Sequence, residues 1–494
     1  MCRPSQHNSN DNSNDYKFCN VIDIVTSIVS VILLIITQIL DYMIDSIISI
    51  IYITQRQRII LSKFSFLLAM LCTIYDYCIS IIVSIIDIIV IIMNKIRVII
   101  MINSNDNDDE HLRTLANDAG ITINIINITT CDGYILGLHR CSKIDIQSKK
   151  QAALKAPVVL LLHGLLQSSD SFITGGKLSL ASTLVNNGYD VWIGNTRGNK
   201  YSNKHVVYNE HDRRYWNFCL DDYAKYDVPA MILYIRNYTS IDKISIIGFS
   251  QGSAEVFGSL SIHPTLNDYV NLFIALAPPI KPIGMSDNIL SKLIHIYPNI
   301  TNVILGYKSC FPYMPTIQKM LGLQLYTTIC THAMKYLFGW NCLCISPERR
   351  PLLFKSIFSS SSVKGIKHWF QMVKAQQLQI YHNNNENEIY ERNNIDNTIY
   401  NTDNMKRMKK LYDTNIEPPY LFYDLTNIEC KVAVLSGAED KLIDPYIVEK
   451  KVKNCLITYV ISRYEHLDLL WADDACKQVF PKILKLLDKE KNNK

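Results

Sequence analysis

The sequence predicts an α/β fold, in which a largely parallel sheet is covered by helices on both faces. Residues 158–162 (VVLLL) and, apart from one serine, residues 244–249 (ISIIGF) are continuous apolar runs rich in β-branched residues. Runs of this length and character are typical of strands buried on both faces. Helical apolar spacing alternates with these and with further strand-like runs such as ITINIINITT and GYILGLHRC, and this alternation favours a parallel sheet.

Composition narrows the classes of partner and site. The chain has 494 residues, 48% of them hydrophobic, which is enough for one large domain or two ordinary ones. Its net charge of +5 is small for this length and no arginine-rich stripe is present, so no nucleic-acid partner is expected. The fourteen cysteines lack metal-ligand spacing, so no metal is predicted. Free thiols are expected, with pairing among Cys310, Cys330, Cys342 and Cys344 as the alternative in an oxidising compartment.

The N-terminal region is polar over residues 1–20 and dominated by isoleucine, leucine and valine over residues 21–102. A bilayer core requires about 20 apolar residues per helix, so this region predicts a membrane anchor of one to three spans. Acidic residues and Lys63 within it leave the number and limits of the spans open. A hairpin or amphipathic layer on a lipid surface and a buried helical layer are the alternatives. The apolar character continues too far for a cleaved signal peptide, and residues 103–110 form a short acidic linker.

The stretch GFSQG places a serine between two glycines directly after the apolar run 244–249. Gly248, Ser250 and Gly252 match G-x-S-x-G, the strand-to-helix turn that exposes a nucleophilic serine above an α/β-hydrolase sheet. A side chain at either glycine would crowd such a turn. The run that follows predicts an amphipathic helix through its apolar residues Ala254, Val256, Phe257 and Leu260.

A serine nucleophile needs a base and an acid, and this fold supplies them in the chain order serine, acid, histidine. His466 is the one histidine beyond His382 and lies between a strand-like run and an amphipathic helix. Asp440 follows the strand-like run CKVAVLSG most directly, so we assign it as the partner of the histidine. Asp444, which precedes a proline as a helix cap would, is the second choice and Glu439 the third.

The oxyanion of such a reaction needs two backbone donors. One comes from the residue after the nucleophile, here Gln251, and the other from the turn after an early strand. The turn HGLL follows the strand-like run 158–162 and makes Leu165 the first choice for that donor. His163 lies upstream of the serine and is interpreted as a structural residue of the turn.

Seven blocks of sequence together resemble the acid lipases, the group of gastric and lysosomal lipases and their fungal membrane-anchored relatives. The resemblance covers residues 115–487, through LLLHGLLQSS, NGYDVWIGNTRGNKYS, YWNFCLDDYAKYDVPAMILYI, GFSQGSAE, IALAPP, SGAEDKLIDP and YEHLDLLWADDA. It places the nucleophile, acid and base of the family on Ser250, Asp440 and His466, and its oxyanion donors on Leu165 and Gln251. Residues 358–382 and the apolar N-terminus more particularly resemble the fungal steryl ester hydrolases. At position 249 this sequence has phenylalanine, where the mammalian enzymes tend to have histidine. The fungal relatives also have phenylalanine there.

The resemblance implies an α/β-hydrolase core over residues 111–280 and 418–490, interrupted by a cap over residues 281–417. Helical apolar spacing over much of the interval agrees with a helical cap. Within it, residues 383–404 are rich in asparagine and predict a disordered insertion. We expect the cap to present apolar residues to a long acyl chain: Leu321, Leu323, Met334, Phe338, Trp340, Trp369 and Phe370.

Together these features predict a serine esterase that hydrolyses neutral lipids and needs neither a metal nor an organic cofactor. The resemblance implies a steryl ester as substrate ahead of a triacylglycerol, met at a membrane or lipid-droplet surface. Lipid droplets, the endoplasmic reticulum and the plasma membrane are the expected locations, and the oligomeric state stays open. An acyltransferase of the same chemistry and a membrane-tethered lipid-binding protein without turnover are the alternative functions.

Overall fold

The computed structural model describes residues 108–144, 156–283, 306–312, 314–382 and 422–492. The polar tail 1–20, the predicted anchor 21–102, most of the linker and the asparagine-rich insertion 383–404 therefore lie outside the described residues. Among the helices that are described, none combines the length and the apolar character that a bilayer crossing requires.

A nine-stranded sheet forms the centre of the described part of the chain, in the order β1-β2-β4-β3-β6-β7-β10-β11 with the short β5 beside β2. The strands predicted at 158–162 and 244–249 are confirmed residue for residue as β3 and β6. The strands of this sheet are β1 Ile121–Thr129, β2 Tyr134–Lys143, β3 Val158–Leu162, β4 Asp190–Gly194, β5 Lys204–His205, β6 Ile244–Phe249, β7 Val270–Leu276, β10 Lys431–Gly437 and β11 Cys455–Ile461. A separate two-stranded ribbon pairs β8 Ser309–Cys310 with β9 Ser361–Ser362.

Strand direction determines where a site can form. The six strands from β4 to β11 are mutually parallel, whereas β2 runs antiparallel to all three of its neighbours, β1, β4 and β5. From β3 the chain continues to β4 on one side, and β6 lies on the other side and leads to β7. Ligands in open α/β sheets bind at such a reversal of strand order, beyond the carboxyl ends of the strands. The loops after β3 and β6 therefore meet where a ligand is expected.

Twelve α-helices of at least four residues lie in the described part of the chain, in addition to shorter helical segments. They are α1 Asp108–Asp118, α2 Leu180–Asn186, α3 Val228–Thr239, α4 Gln251–Ile262, α5 Met314–Leu321, α6 Leu323–Phe338, α7 Arg350–Phe354, α8 Val363–Ala375, α9 Ile447–Lys451, α10 Asp468–Trp471, α11 Ala475–Gln478 and α12 Phe480–Asn492. A short helix, Leu220–Asp222, and a π-helical turn, Tyr223–Asp227, lead into α3.

Helix α1 begins at Asp108, inside the stretch predicted to be a linker. Its first turn carries three acidic residues, which interact favourably with the positive end of the helix dipole. Leu112, Leu115 and Ala116 follow at helical spacing and are buried. The acidic character that indicated a linker is therefore partly the N-terminus of a packed helix.

Helices cover both faces of the sheet, as the continuous apolar strands predict. Along β3 the side chains alternate, so that Val159 and Leu161 join one core while Leu160 and Leu162 join the other. The first core is closed by helices α1, α2 and α12, and the second by α3 and α4. Burial on both faces accounts for the absence of polar alternation along these strands.

Helix α4 departs from the amphipathic prediction. Eleven of its twelve residues are buried, Glu255 among them, because the π-helical turn and the segment Leu425–Asn427 cover the side that faces away from the sheet. Helix α4 is thus a core helix, and its polar residues must find partners within the protein.

The cap lies between β7 and β10 and is helical where it is described, with α5 to α8 and the ribbon β8–β9. Residues 284–305 of the predicted cap lie outside the described residues. Cys310, Cys330, Cys342 and Cys344, for which disulfide pairing was the alternative, are all free.

Candidate active site

Ser250 occupies the sharp turn that the sequence predicts between β6 and α4. Its backbone angles, φ 51° and ψ −119°, lie in a region that a non-glycine residue adopts only under constraint. The N–H of Ser250 donates to the carbonyl of Leu276 at 2.8 Å, which fixes the turn to β7. A Cβ at Gly248 would lie 2.8 Å from the backbone of Ser253, and one at Gly252 would lie 2.7 Å from the carbonyl oxygen of His163. Both glycines are therefore required by close backbone approach.

The structure brings Ser250, His466 and Asp440 together from three strand ends. Nε2 of His466 lies 2.8 Å from Oγ of Ser250, and Nδ1 lies 2.7 Å from Oδ2 of Asp440. The carboxylate can only accept, so Nδ1 carries the proton and Nε2 is left to accept from the serine hydroxyl. All three residues are buried. This arrangement is that of a nucleophile, a general base and an orienting acid.

The other two carboxylates considered for the acid lie elsewhere. Oδ1 of Asp444 accepts the N–H of Tyr446 at 3.0 Å, so this residue stabilises the turn before α9, as its position before a proline predicts. Glu439 is exposed to solvent. Oδ1 of Asp440, by contrast, accepts the N–H of Leu442 at 3.1 Å, which holds the carboxylate in place for His466.

The loop after β3 and the start of α4 supply the candidate oxyanion donors. The side chain of Gln167 accepts the N–H of Gly164 at 3.1 Å, and Leu166 reverses the loop with a φ of 58°. Within the described part of the chain, no protein group accepts from the backbone N–H of Leu165 or of Gln251. Both N–H groups therefore remain available to a substrate oxygen.

His163 orders this loop, in agreement with its interpretation as a structural residue. Nδ1 donates to the carbonyl of Gly164 at 2.9 Å, so Nε2 accepts from Nδ2 of Asn199 at 3.0 Å and from the N–H of Thr196 at 3.3 Å. Burial lowers the pKa of His163 to about 4. The ring is therefore neutral near pH 7 and couples the loop after β3 to the loop after β4.

Comparison with known proteins identifies the family to which this constellation belongs. The sequence model of the family described as α/β hydrolase fold matches residues 157–473. The family model of the partial α/β-hydrolase lipase region matches residues 112–176. A probable lipase of Schizosaccharomyces pombe is 33% identical over 384 residues, which are 77% of this chain and 77% of the relative. This chain belongs to the lipases of the α/β-hydrolase fold. The predicted fold and the resemblance to acid lipases are thereby confirmed.

Animal relatives of the lipase share the same region. Gastric triacylglycerol lipase of Mus musculus is 32% identical over 370 residues, which cover 73% of this chain and 87% of the relative. Lipase member K of Homo sapiens is 28% identical over 399 residues, which cover 79% of this chain and 94% of the relative. Similarity to lipases is therefore not limited to fungal proteins, and it covers about three quarters of this chain.

The sequence did not reveal that the side chain of Gln251 in this lipase is held from two sides. Nε1 of Trp369, on cap helix α8, donates to Oε1 of Gln251 at 2.6 Å, and Nε2 of Gln251 donates to Oε1 of Glu255 at 2.9 Å. Glu255 is fully buried, and desolvation raises the pKa of its carboxyl well above the usual range. A neutral acid at this position avoids the cost of an unpaired buried charge. The glutamine is therefore fixed between core and cap.

Glu465 and Asp468, on either side of His466, were likewise not predicted as site residues. Oδ2 of Asp468 accepts the N–H of Glu465 at 2.7 Å and so closes the loop that carries His466. Burial raises the pKa of Asp468 to about 6, with the nearby carboxylate of Glu465 acting in the same direction. The block EHLD contains both acids, but their burial depends on tertiary packing and leaves no mark in the local pattern.

A cluster of potential metal ligands joins the cap to the core. Cys219, Asp221 and His368 each offer one ligand atom, and these atoms lie within 4.8 Å of one another. The carboxylate of Asp221 accepts from the hydroxyl of Tyr423 at 2.6 Å and from the N–H of Tyr381 at 3.0 Å. Nε2 of His368 donates to a backbone carbonyl at 2.8 Å. Asp221 therefore joins the core to the segment that follows α8, and His368 holds that same segment against α8.

Proposed function

We propose that this lipase hydrolyses neutral lipid esters through an acyl-enzyme on Ser250, with steryl esters ahead of triacylglycerols as substrates. The observation that carries the proposal is the pair of hydrogen bonds by which His466 links Ser250 and Asp440. Two backbone N–H groups beside the serine, without an acceptor in the described part of the chain, complete the set of parts that ester cleavage requires.

The reaction follows from this geometry. Oγ of Ser250 attacks the ester carbonyl while Nε2 of His466 takes its proton, and Asp440 holds the resulting imidazolium through Nδ1. The N–H groups of Leu165 and Gln251 bind the oxyanion, and His466 then protonates the departing alcohol. Water activated by the same histidine releases the acyl group and restores the serine. His466 thus returns each proton that it takes up, first to the alcohol and then to Ser250.

Sequence resemblance and the position of the cap support a steryl ester. The segment 358–382, which resembles the fungal steryl ester hydrolases, contains helix α8. Its Trp369 contacts Gln251 directly, so the resembling segment borders the reaction centre. The probable lipases of a yeast among the relatives and Phe249 agree with a fungal type of enzyme. The relatives named gastric triacylglycerol lipase support triacylglycerol as the second candidate substrate.

Action at a lipid surface is supported by the cap and by the composition of the N-terminus. On helix α6, Leu325, Ile329 and Tyr336 are each about half exposed and occur at helical spacing, whereas Tyr326, Cys330 and Met334 face the core. An exposed apolar stripe of this kind favours contact with lipid. We propose that residues 21–102 add a membrane anchor, at a lipid droplet, the endoplasmic reticulum or the plasma membrane.

A panel of esters tests the substrate class. Purified full-length protein is incubated with a steryl oleate, a triolein and a soluble butyrate ester, and the products are separated with and without added sterol as acyl acceptor. We expect release of free fatty acid from the steryl oleate, and none with Ser250→Ala. Transfer of the acyl group to the added sterol would instead identify an acyltransferase, and triolein as the better substrate would reverse the proposed order.

A second experiment distinguishes an effect on binding to the lipid surface from an effect on ester cleavage itself. Full-length protein and a form that lacks residues 1–104, which retains all of α1, are compared on droplet-embedded steryl oleate and on the soluble butyrate ester. Removal of the anchor should reduce only the first activity, since confinement to a surface assists only a substrate that resides there. Equal loss on both substrates would show that the N-terminus supports the fold instead. Full-length protein that remains soluble on carbonate extraction would contradict the anchor.

A further inference from the structure

Trp340, in the turn directly after cap helix α6, lies flat against the ring of His466, the proposed base. The planes of Trp340 and His466 differ by 5° and their centroids are 4.7 Å apart. Phe249 also packs on the imidazole, at 5.3 Å and a tilt of 50°, and Phe338 stacks on the indole at 4.4 Å. The indole is buried, and its N–H has no partner among the described residues. The stack with His466 therefore exists without a hydrogen bond from the indole to fix it.

The turn that carries Trp340 is attached to the loop that carries His466 at a second point. The carboxylate of Glu465 accepts the backbone N–H of Cys342 at 2.7 Å and that of Asn341 at 2.8 Å, and the side-chain amide of Asn341 at 3.2 Å. Glu465 is buried. Two consecutive residues of the catalytic loop thus hold consecutive residues of the cap, so the position of Trp340 is set relative to His466 itself.

Hydrogen bonds alone leave one motion of the imidazole open. The bonds to Asp440 and Ser250 fix the two nitrogens, but a flat ring held at two atoms can still tilt about the line that joins them. A parallel aromatic plane against the ring opposes this tilt. The same plane presents its electron-rich face to the imidazolium that forms when His466 takes the serine proton, and this contact favours the cation.

We propose that Trp340 is a positioning residue for His466, and that Glu465 holds it in place through the cap turn. The inference rests on the proposed function, because it assumes that His466 is the base. Loss of the indole should lower kcat by about 10- to 30-fold, the range expected for a desolvated cation–π contact together with ring alignment. KM for a short ester should change little, because the contact is made to the base.

Four variants of the full-length protein test this proposal: Trp340→Phe, Trp340→Leu, Glu465→Gln and, as a matched control, Trp192→Leu. Trp192 is also a buried tryptophan whose N–H has no partner within the described ranges, but its ring packs on Tyr234 and Tyr238, away from the site. Each protein is measured for thermal stability and for kcat and KM on p-nitrophenyl acetate, butyrate and octanoate. Reaction of Ser250 with a phosphonate ester counts the competent sites.

We expect Trp340→Leu to reduce kcat equally on all three esters, Trp340→Phe to recover much of the loss, and Glu465→Gln to fall between them. Trp192→Leu should lower stability but leave kcat per competent site unchanged. A loss that grows with acyl length and appears in KM would overturn the proposal and make Trp340 part of the acyl pocket. Unchanged kcat in Trp340→Leu would also overturn it, whereas a wild-type protein whose Ser250 fails to react would refute the proposed function itself.

Discussion

Replacement of Asp440 by asparagine tests the assigned roles, because the structure determines how the new amide would face. Oδ2 of Asp440 lies 2.7 Å from Nδ1 of His466, while Oδ1 accepts the N–H of Leu442 at 3.1 Å. An asparagine would keep its oxygen on the Leu442 N–H, which leaves its NH2 group, a donor, facing Nδ1. Nδ1 must then lose its proton in order to accept, and the proton moves to Nε2, where it points at Ser250.

In that tautomer the imidazole cannot take the serine proton. The same change in serine proteases costs about 10⁴ in kcat, which corresponds to about 5.5 kcal/mol of transition-state stabilisation. We expect a loss of this size for Asp440→Asn with little change in melting temperature, because asparagine has the same shape and retains the bond to Leu442. The assay is kcat on a soluble butyrate ester, with Ser250→Ala as the baseline.

Asp444→Asn is the matched control. Oδ1 of Asp444 accepts only the N–H of Tyr446 among the described contacts, and an asparagine oxygen can do the same. This variant should therefore retain nearly all activity. A loss below about tenfold in a stable Asp440→Asn protein would refute the tautomer argument, and a larger loss in Asp444→Asn would transfer the role of the acid to Asp444.

Three further changes have distinct expected outcomes. Ser250→Ala should keep the wild-type melting temperature and lose about 10⁶ in kcat, as in other serine hydrolases; a retained burst of product would contradict this. Gly252→Ala should reduce the yield of folded protein, because the new Cβ would overlap the carbonyl groups of Leu162 and His163. Any folded fraction should lose at least about 10² in kcat, because the same overlap would displace the loop after β3, which carries the proposed oxyanion donor Leu165. Wild-type yield and rate would refute the steric argument. Burial lowers the pKa of His139 and His163 to about 4, whereas the value in the unfolded chain is about 6.5. The contribution of each neutral ring to the free energy of unfolding is therefore complete above about pH 6.5 and is lost as the pH falls towards 4. The loss is up to about 3 kcal/mol for each histidine. Urea unfolding at pH 7 and pH 4.5 measures this loss, which should be smaller in His139→Gln, and a midpoint that does not change with pH would contradict it.

The local sequence pattern and the order of residues along the chain predict the central strands of the sheet. They also predict Ser250, Asp440 and His466, the three residues that the structure brings together. The strands β3 and β6 are identified correctly because burial on both faces demands an unbroken apolar run, which a sequence displays directly. The turn at Ser250 is equally visible, since only glycine fits at Gly248 and Gly252. His466 follows from chain order and from the small number of histidines beyond the cap.

Contacts that depend on tertiary packing could not be predicted in this way. Glu465 looks like an ordinary loop charge, and only the folded chain shows that a cap turn more than a hundred positions earlier buries it. The acidic start of α1 resembled a linker because three charges outweigh the apolar spacing that follows. Helix α4 was expected to have a polar face, yet eleven of its twelve residues are buried, and Glu255 provides no local sign of this burial.

The two indole contacts limit how substrate range can be engineered in this fold. Trp340 rests on His466 and Trp369 binds Gln251, so the cap is joined to both the proposed base and a proposed oxyanion donor. A cap grafted from a related enzyme would bring its own residues to these positions but would meet the host's Gln251, Glu255 and Glu465. Such chimaeras should lose turnover even where the new cap accepts the desired lipid. The transferable module is therefore the cap together with these three core positions, which have to be exchanged as one unit.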